Sequence, residues 1–175
     1  AFIHYYKKGL IYRGLRTINW CIRCGTGLSE LELEYENEKT TLYYIKYAEN
    51  LVVATTRPET MLGDTAVAIN PNDKRYSNWI GKEITLPIAN RKIPIIADKE
   101  IDIEFGTGAV KVTPAHDITD FEIGQRHNLP SIQVIDERGR MNEKARNYAG
   151  TKIKEAREKI IEDLKKEGLL QKEEP

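Results

Sequence analysis

The chain has 175 residues, of which 40% are hydrophobic, and this is the size of one ordinary domain with room for a small appendage. Its 27 basic and 27 acidic residues give a formal net charge of zero, so no global field draws it to nucleic acid and any RNA contact must be local. No apolar run approaches the roughly 18 residues of a membrane span, and no secretory leader is visible, so the sequence predicts no membrane association and a cytoplasmic location.

The N-terminal part is predicted to be a basic segment with a cysteine pair. Residues 2–12 have helical spacing, and residues 1–29 carry five basic side chains and no acidic one, which is typical of a solvated face or an RNA-facing patch. Residues 19–25, Asn-Trp-Cys-Ile-Arg-Cys-Gly, have the shape of a zinc knuckle, in which two thiolates on a tight turn supply half of a tetrahedral site. Cys21 and Cys24 are therefore either a half-site completed by other ligands or two reduced thiols of a cytoplasmic protein.

From residue 41 onward the predicted elements are mainly short strands bounded by turn residues. They are 42–47, 51–55, 65–70, 83–88, 92–97, 109–113 and 132–135. Many short strands with few helices predict a β-rich barrel or sandwich decorated by helices. They disfavour a doubly wound sheet, because that architecture places a long helix between most strand pairs.

Three helices are predicted among these strands. The first, over 57–62, starts after an N-cap threonine, Thr56. The second, over about 119–128, opens with a Thr-x-x-Glu capping box. The third, over 151–167, carries an apolar stripe at helical spacing and stops at Gly168, so we expect it to dock through its apolar face.

Two motifs contain more charged and polar side chains than the packing of a core requires. Residues 55–64, Thr-Thr-Arg-Pro-Glu-Thr-Met-Leu-Gly-Asp, form a strand-to-helix corner whose N–H groups, hydroxyls and arginine can face a ligand, although a plain corner is the alternative. Residues 105–120, Phe-Gly-Thr-Gly-Ala-Val-Lys-Val-Thr-Pro-Ala-His-Asp-Ile-Thr-Asp, place Lys111 and Thr113 on one strand face. They bring a lysine, a threonine, a histidine and two aspartates into one small volume. Neither motif contains a dinucleotide-binding or Walker signature.

These two motifs together resemble the editing domain of valyl-tRNA synthetase, the connective-polypeptide insertion of the class I synthetases. The motif Gly-Ala-Val-Lys-Val-Thr-Pro favours the valyl branch over the isoleucyl and leucyl branches. The resemblance implies a β-rich α/β fold, a closed β-barrel of about six strands decorated by short helices. It also implies three parts: a linker with the cysteine half-site (1–40), the editing barrel (41–148) and a helix that returns toward the parent catalytic domain (149–175).

The resemblance further implies an aminoacyl-tRNA deacylase that hydrolyses mischarged threonyl-tRNA(Val) to threonine and tRNA(Val). Its partners would be the threonine-bearing tRNA(Val) acceptor end and the parent catalytic domain, and we expect a monomer. Editing would need no cofactor. A zinc ion could bind in the full-length parent, and ATP and Mg²⁺ would serve only the parent synthetic site, whose His-x-Gly-His and Lys-Met-Ser-Lys-Ser signatures are absent here. The alternatives are an isoleucyl or leucyl editing domain, a non-catalytic module that docks the tRNA acceptor end, and a zinc-ribbon RNA-binding domain.

The need to separate threonine from valine explains the polar residues. A hydrophobic pocket for valine rejects threonine poorly, because the two side chains are nearly isosteric. A second pocket can demand the hydroxyl, and Lys111 and Asp117 are the candidates to bind it, one donating and one accepting. Valine would leave both groups unpaired, at a cost of roughly 1–3 kcal/mol.

We predict a catalytic set of Asp120, Thr60 and Lys111, in which the resemblance places the substrate ammonium against the Asp120 carboxylate. The predicted substrate-binding residues are Thr55, Thr56, Arg57, Glu59, Phe105, Thr113, His116 and Asp117. His116 has a suitable ordinary pKa for a general base. Positioning of water by hydroxyls, backbone and the substrate ribose is the favoured alternative, since an activated ester has a modest barrier.

Overall fold

The computed structural model describes residues 1–175 and contains nine strands and three α-helices. In chain order they are α1 (Phe2–Lys7), β1 (Asn19–Cys21), β2 (Thr26–Leu28), β3 (Leu42–Ala48), β4 (Leu51–Thr55), β5 (Ala66–Ile69), β6 (Glu83–Leu86), β7 (Arg91–Ala97), β8 (Ala109–Val112), α2 (Ile118–Arg126), α3 (Ile153–Lys166) and β9 (Leu170–Glu174). Short 3-10 helices cover Glu30–Glu32, Pro58–Gly63, Ser77–Trp79 and Glu143–Tyr148. None of the helices has the length and apolar content needed to cross a bilayer.

Two sheets form the body of the molecule. One has the strand order β4-β3-β9 and the other the order β6-β7-β5-β8, and all neighbours are antiparallel except the parallel pair β5 and β7. The sheets meet where β4 lies beside β8 and β3 lies beside β6. The β-rich mixed α/β fold is thus confirmed. The ladders of the body are those of two sheets, β1 and β2 form a third small sheet, and closure into one barrel stays a prediction.

The core lies between these sheets and α3. Strands with alternating apolar residues bury one face, as β4 does through Leu51 and Val53. β5 is buried along its whole length, because Val67 and Ile69 enter the main core while Ala66 and Ala68 enter a smaller cluster beneath α2. β5 therefore fixes β8, the strand beside it, between two apolar layers.

The last predicted helix is confirmed as α3, whose buried stripe consists of Ala156, Ile160 and Leu164. The helix ends before Gly168, which adopts a left-handed φ of 68°. β9 then adds to the edge of β3, a strand that the sequence did not predict because its Gln-Lys-Glu-Glu run has no apolar alternation. The predicted division into three parts stays a prediction, although α3 shares the main core with the strands.

Three local predictions were wrong. Residues 132–135 form no strand and contribute only an isolated bridge between Ile135 and Met141. The capping box predicted for α2 is replaced by Asp117, whose Oδ1 accepts a hydrogen bond from the backbone N–H of Asp120 at 3.0 Å. The Thr56 cap predicted for the 57–62 helix is absent, although the helix itself is present as a 3-10 helix over Pro58–Gly63.

The cysteine pair lies on the turn between β1 and β2. The backbone N–H of Cys24 donates to Cys21 Sγ at 3.3 Å, and this bond is the largest cause that lowers the pKa of the Cys21 thiol. A tetrahedral zinc ion needs four ligands, and no group of three or more histidine, cysteine or acidic side chains is arranged so that it could hold a metal ion. The two thiols fit half of such a site, so the half-site stays a prediction.

Candidate active site

A cavity of about 500 Å³ opens where β4, β8 and the start of α2 converge with residues 100–105. Every predicted catalytic or substrate-binding residue except Glu59 lines it. These residues are Thr55, Thr56, Arg57, Thr60, Phe105, Lys111, Thr113, His116, Asp117 and Asp120. Residues separated by as many as 65 positions in the chain, from 55 to 120, thus meet at one site.

Lys111 provides a buried ammonium on the cavity wall. Its Nζ donates to Thr113 Oγ1 at 2.6 Å, to Thr60 Oγ1 at 2.9 Å and to Asp64 Oδ1 at 3.3 Å. Because an ammonium has three donors, this network occupies all of them and fixes the direction of the charge. The arrangement also confirms that the side chains of Lys111 in β8 and of Thr113, the residue that follows β8, lie on the same side.

Asp64 is a member of this network that the sequence analysis did not select. Its side chain is fully buried, and it accepts hydrogen bonds from Thr113 Oγ1 at 2.5 Å and from the Tyr47 hydroxyl at 2.7 Å, in addition to Lys111. Burial raises the pKa of Asp64, and the Lys111 charge and the hydroxyl donors oppose that rise. The sequence contained a sign of this role, because a buried lysine needs an acidic partner and Asp64 is the last residue of the first polar motif.

Asp120 places a second, differently held carboxylate in the cavity. Its Oδ2 accepts a hydrogen bond from the backbone N–H of Thr113 at 2.8 Å, and only 8% of the residue is exposed. Burial raises the pKa of Asp120 to about 6, against the opposing effects of Lys111 and the Thr113 N–H. At neutral pH the cavity therefore holds a desolvated carboxylate that a bound cation would stabilise.

His116 contacts the protein through its ring nitrogen. Its Nε2 accepts a hydrogen bond from the backbone N–H of Val134 at 2.9 Å, and burial, together with the charges of Arg57 and Lys111, lowers the pKa of His116 to about 4. The accepting nitrogen is thus occupied and the other ring nitrogen carries the proton. This geometry disfavours the hypothesis that His116 takes a proton from water.

The mouth of the cavity is formed by Arg57 and Phe105. The Arg57 Nη1 donates to the carbonyl of His116 at 3.0 Å, and the Phe105 ring is 68% exposed beside Gly106 and Gly108, which adopt left-handed φ angles of 60° and 81°. An aromatic ring and a guanidinium at an opening suit a base and a phosphate-bearing end of a nucleic acid.

Glu59 differs from the prediction, because its fully buried side chain points away from the cavity. Both carboxylate oxygens accept hydrogen bonds from Arg157 on α3, at 2.8 Å from Nε and 2.8 Å from Nη2. The carboxylate therefore joins the Pro58–Gly63 helix to α3, and its predicted contact with the substrate has no support in this geometry.

Family matches place the chain, with its fold and cavity, in the editing region of the class I tRNA synthetases. The family described as "Leucyl-tRNA synthetase, editing domain" matches residues 73–172, and the family of class I tRNA synthetases for I, L, M and V matches residues 1–97. Two solved structures share the fold. The CP1 structure of GlLeuRS has a TM-score of 0.57 and 12% identity, and the match covers 78% of this chain and 99% of that chain. A LeuRS of Agrobacterium radiobacter in a ternary complex with tRNA and LeuAMS has a TM-score of 0.56 and 20% identity, and the match covers 77% of this chain and 20% of that chain.

Within that class, the chain belongs to the valine–tRNA ligase family. It is 58% identical to the valine–tRNA ligase of Petrotoga mobilis over 99% of its own length, and 56% identical to that of Thermotoga maritima over 98%. The chain spans about 20% of the length of each of these relatives. The valyl branch, which the sequence motif favoured over the isoleucyl and leucyl branches, is thus confirmed.

Proposed function

We propose that the cavity hydrolyses threonyl-tRNA(Val) and releases threonine and tRNA(Val). The observation that carries this proposal is the buried, fully hydrogen-bonded Lys111 ammonium facing the same cavity as Asp117 and Asp120. Its contacts with Thr60 and Asp64 can exchange for a substrate hydroxyl, whereas the methyl group of valine cannot accept a hydrogen bond. A valyl group would gain no hydrogen bond from Lys111, and it would displace water from the Asp117 carboxylate without replacing that water's hydrogen bond.

The substrate ammonium binds Asp120 in this proposal. A cation next to the desolvated carboxylate favours its ionised form, so the charge that is costly in the free protein becomes compensated in the complex. The ammonium and the γ-hydroxyl then fix the amino acid at two points, which sets the position of the ester carbonyl.

Hydrolysis requires a positioned water rather than a protein nucleophile. Water adds to the ester carbonyl, the bond to the ribose oxygen breaks, and that oxygen leaves with a proton from the water. The hydroxyls of Thr60 and Thr113 and the ribose hydroxyl of the substrate are the groups that hold this water. Thr60 Oγ1 donates to the Arg57 carbonyl at 3.0 Å and accepts a hydrogen bond from Lys111 at 2.9 Å, so one lone pair remains to accept a hydrogen bond from this water.

The partners follow from the same proposal. The acceptor end of tRNA(Val) enters past Arg57 and Phe105, and the relative crystallised with tRNA supports tRNA binding by this class of domain. The parent catalytic domain supplies the charged tRNA, and the domain acts as a monomer in the cytoplasm. No step uses ATP, Mg²⁺ or zinc.

We also infer that the two sheets close into one barrel. β4 beside β8 and β3 beside β6 already bring two pairs of strands from different sheets together. Such closure would hold β4 and β8, which carry both polar motifs, at a fixed separation across the cavity.

The test compares two esters in single turnover. Lys111→Ala should lower the ratio of threonyl-tRNA(Val) to valyl-tRNA(Val) hydrolysis by roughly ten- to a hundredfold, since one hydroxyl contact is lost. Lys92→Ala, which removes an exposed lysine from β7, is the matched control and should leave the ratio unchanged. An unaltered ratio in Lys111→Ala removes Lys111 as the reader of the hydroxyl. Retention of threonyl-tRNA(Val) by the wild-type chain without hydrolysis favours the docking module instead.

A further inference from the structure

One buried carboxylate lies between two guanidinium groups on the side of the Pro58–Gly63 helix away from the cavity. Arg157 takes both oxygens of Glu59, while the Arg57 Nε lies 3.7 Å from Glu59 Oε1. The Arg57 side chain is 46% exposed and instead uses Nη1 to donate to the carbonyl of His116. Arg57 thus contacts both groups at once, with a hydrogen bond to the His116 carbonyl and only a longer ion pair with Glu59.

We propose that Arg157 is a positioning residue that keeps Arg57 available to the tRNA end by neutralising Glu59. The proposal rests on the proposed function, because it concerns the same cavity. Arg157 does not line the cavity and cannot touch a substrate there. It acts through the carboxylate whose attraction would otherwise draw Arg57 inward.

Electrostatics predict which way the Arg57 guanidinium moves when Arg157 is removed. Breaking a buried ion pair by removing one partner leaves an uncompensated charge, which is strongly unfavourable. In the absence of Arg157, the nearest cation to Glu59 is Arg57, and a small rotation converts a 3.7 Å approach into a hydrogen bond. Arg57 would then leave the His116 carbonyl and the cavity mouth.

The same pair couples α3 to the site. Arg157 lies on α3 between the buried residues Ala156 and Ile160, so the helix that packs on the core also holds the guanidinium in place. The Pro58–Gly63 helix carries Thr60 into the Lys111 network. A displacement of α3 would therefore reach the cavity through Glu59.

The experiment uses the 175-residue chain and threonyl-tRNA(Val). Arg157→Met should raise KM about tenfold with a smaller change in kcat, since the loss concerns binding of the tRNA end by Arg57. Adding Glu59→Gln to Arg157→Met should restore most of the affinity, because a neutral amide attracts Arg57 far less. In the Arg57→Ala background, Arg157→Met should have no further effect.

Tyr148→Phe is the matched control, since it removes the hydrogen bond from Tyr148 to Asp163 of α3 and leaves Glu59 untouched. An unchanged KM in Arg157→Met, a failure of Glu59→Gln to rescue it, or an equal effect of Tyr148→Phe overturns the proposal. If Arg157→Met does not fold, Arg157→Gln, which carries no charge but can still donate a hydrogen bond to Glu59, should raise KM in the same direction, and no rise overturns the proposal.

A crystal structure of the Arg157→Met chain separates this inference from the proposed function. We expect the Arg57 guanidinium to be hydrogen-bonded to Glu59 and released from the His116 carbonyl. That result supports the positioning role even if the wild-type chain hydrolyses neither ester, which would contradict the proposed function alone. Arg57 still bound to His116 overturns the positioning role.

Discussion

Burial of the Asp120 carboxylate in the cavity lowers the stability of the free protein at neutral pH. Its pKa of about 6 in the folded chain compares with an ordinary value of 3.8, so between these values the folded state binds more protons than the unfolded state. Its contribution to stability therefore falls as pH rises through that window. His116 acts in the opposite sense, because its pKa falls from 6.5 to about 4 and its contribution to stability rises with pH.

We therefore expect Asp120→Asn to stabilise the chain at pH 7.5 by about 1–3 kcal/mol, since a difference of about two pH units corresponds to about 3 kcal/mol at most. The amide oxygen can still accept the Thr113 N–H. The gain should disappear near pH 4, where the native carboxyl is already protonated. Urea unfolding at the two pH values measures it, and an equal gain at both would contradict the assigned burial cost. Threonyl-tRNA(Val) hydrolysis should be lost in the same variant.

The residues that line the cavity were predictable because charged side chains such as Lys111 and Asp120 are not needed to pack a core. The sequence analysis did not select Asp64 and placed Glu59 at the substrate, and both errors have one cause. Asp64 and Glu59 are both fully buried acids, and only the folded chain reveals whether a buried acid pairs with Lys111 at the site or with Arg157 behind it. Sequence spacing fixes neither choice, because both partners are more than 40 residues away.

At the scale of single elements, α2 shows that a helix cap and a cavity-lining group can be the same residue. Asp117 accepts the hydrogen bond that starts the helix, and it also lines the cavity. The Thr-x-x-Glu pattern predicted a start two residues later, because capping preference alone does not distinguish Asp117 from Thr119.

Substitution of Asp117 separates the two roles. Asp117→Ala should cost about 1 kcal/mol of stability through loss of the cap, whereas Asp117→Ser should retain most of it. Both variants should lose selectivity for the threonyl ester, because neither provides a carboxylate. Chemical denaturation and the ratio of the two hydrolysis rates measure these effects. Full selectivity in Asp117→Ser would leave Asp117 only its capping role.

Six of the seven predicted strands are present, for a physical reason. Alternation along β4 and β6 follows from burial of one face and needs no knowledge of partners. The Pro58–Gly63 segment is instead wholly buried, so tertiary contacts select its 3-10 geometry over an α-helix. Residues 132–135 have strand-like composition but find no neighbouring strand to pair with.

For the whole molecule, the most consequential unpredicted feature is β9, which covers the edge of β3. Its backbone pairs with Leu42–Ile45, and the Tyr44 hydroxyl donates to Glu174 at 2.7 Å. An uncovered β3 would present unpaired N–H and C=O groups next to Leu42 and Tyr43, and such an edge promotes aggregation.

Deletion of residues 169–175 should therefore lower the melting temperature by several degrees and cause aggregation that increases with protein concentration. Lys172→Ala is the control, since it removes a side chain from β9 and keeps its backbone ladder. Differential scanning fluorimetry and light scattering distinguish the two. A deletion variant that melts like the wild type and stays monodisperse would mean that β9 is dispensable.

The pairing of β3 with β9 has one more consequence. Leu42 and Glu174 face each other across the ladder, so the two ends of the segment 42–174 leave the body at adjacent points. A segment with neighbouring ends can be transplanted into a surface loop of an unrelated host with only short spacers, or rejoined and reopened elsewhere by circular permutation. We therefore expect the segment 42–174 to be portable between hosts, so that the proposed hydrolysis can be assayed in a carrier that has no such activity.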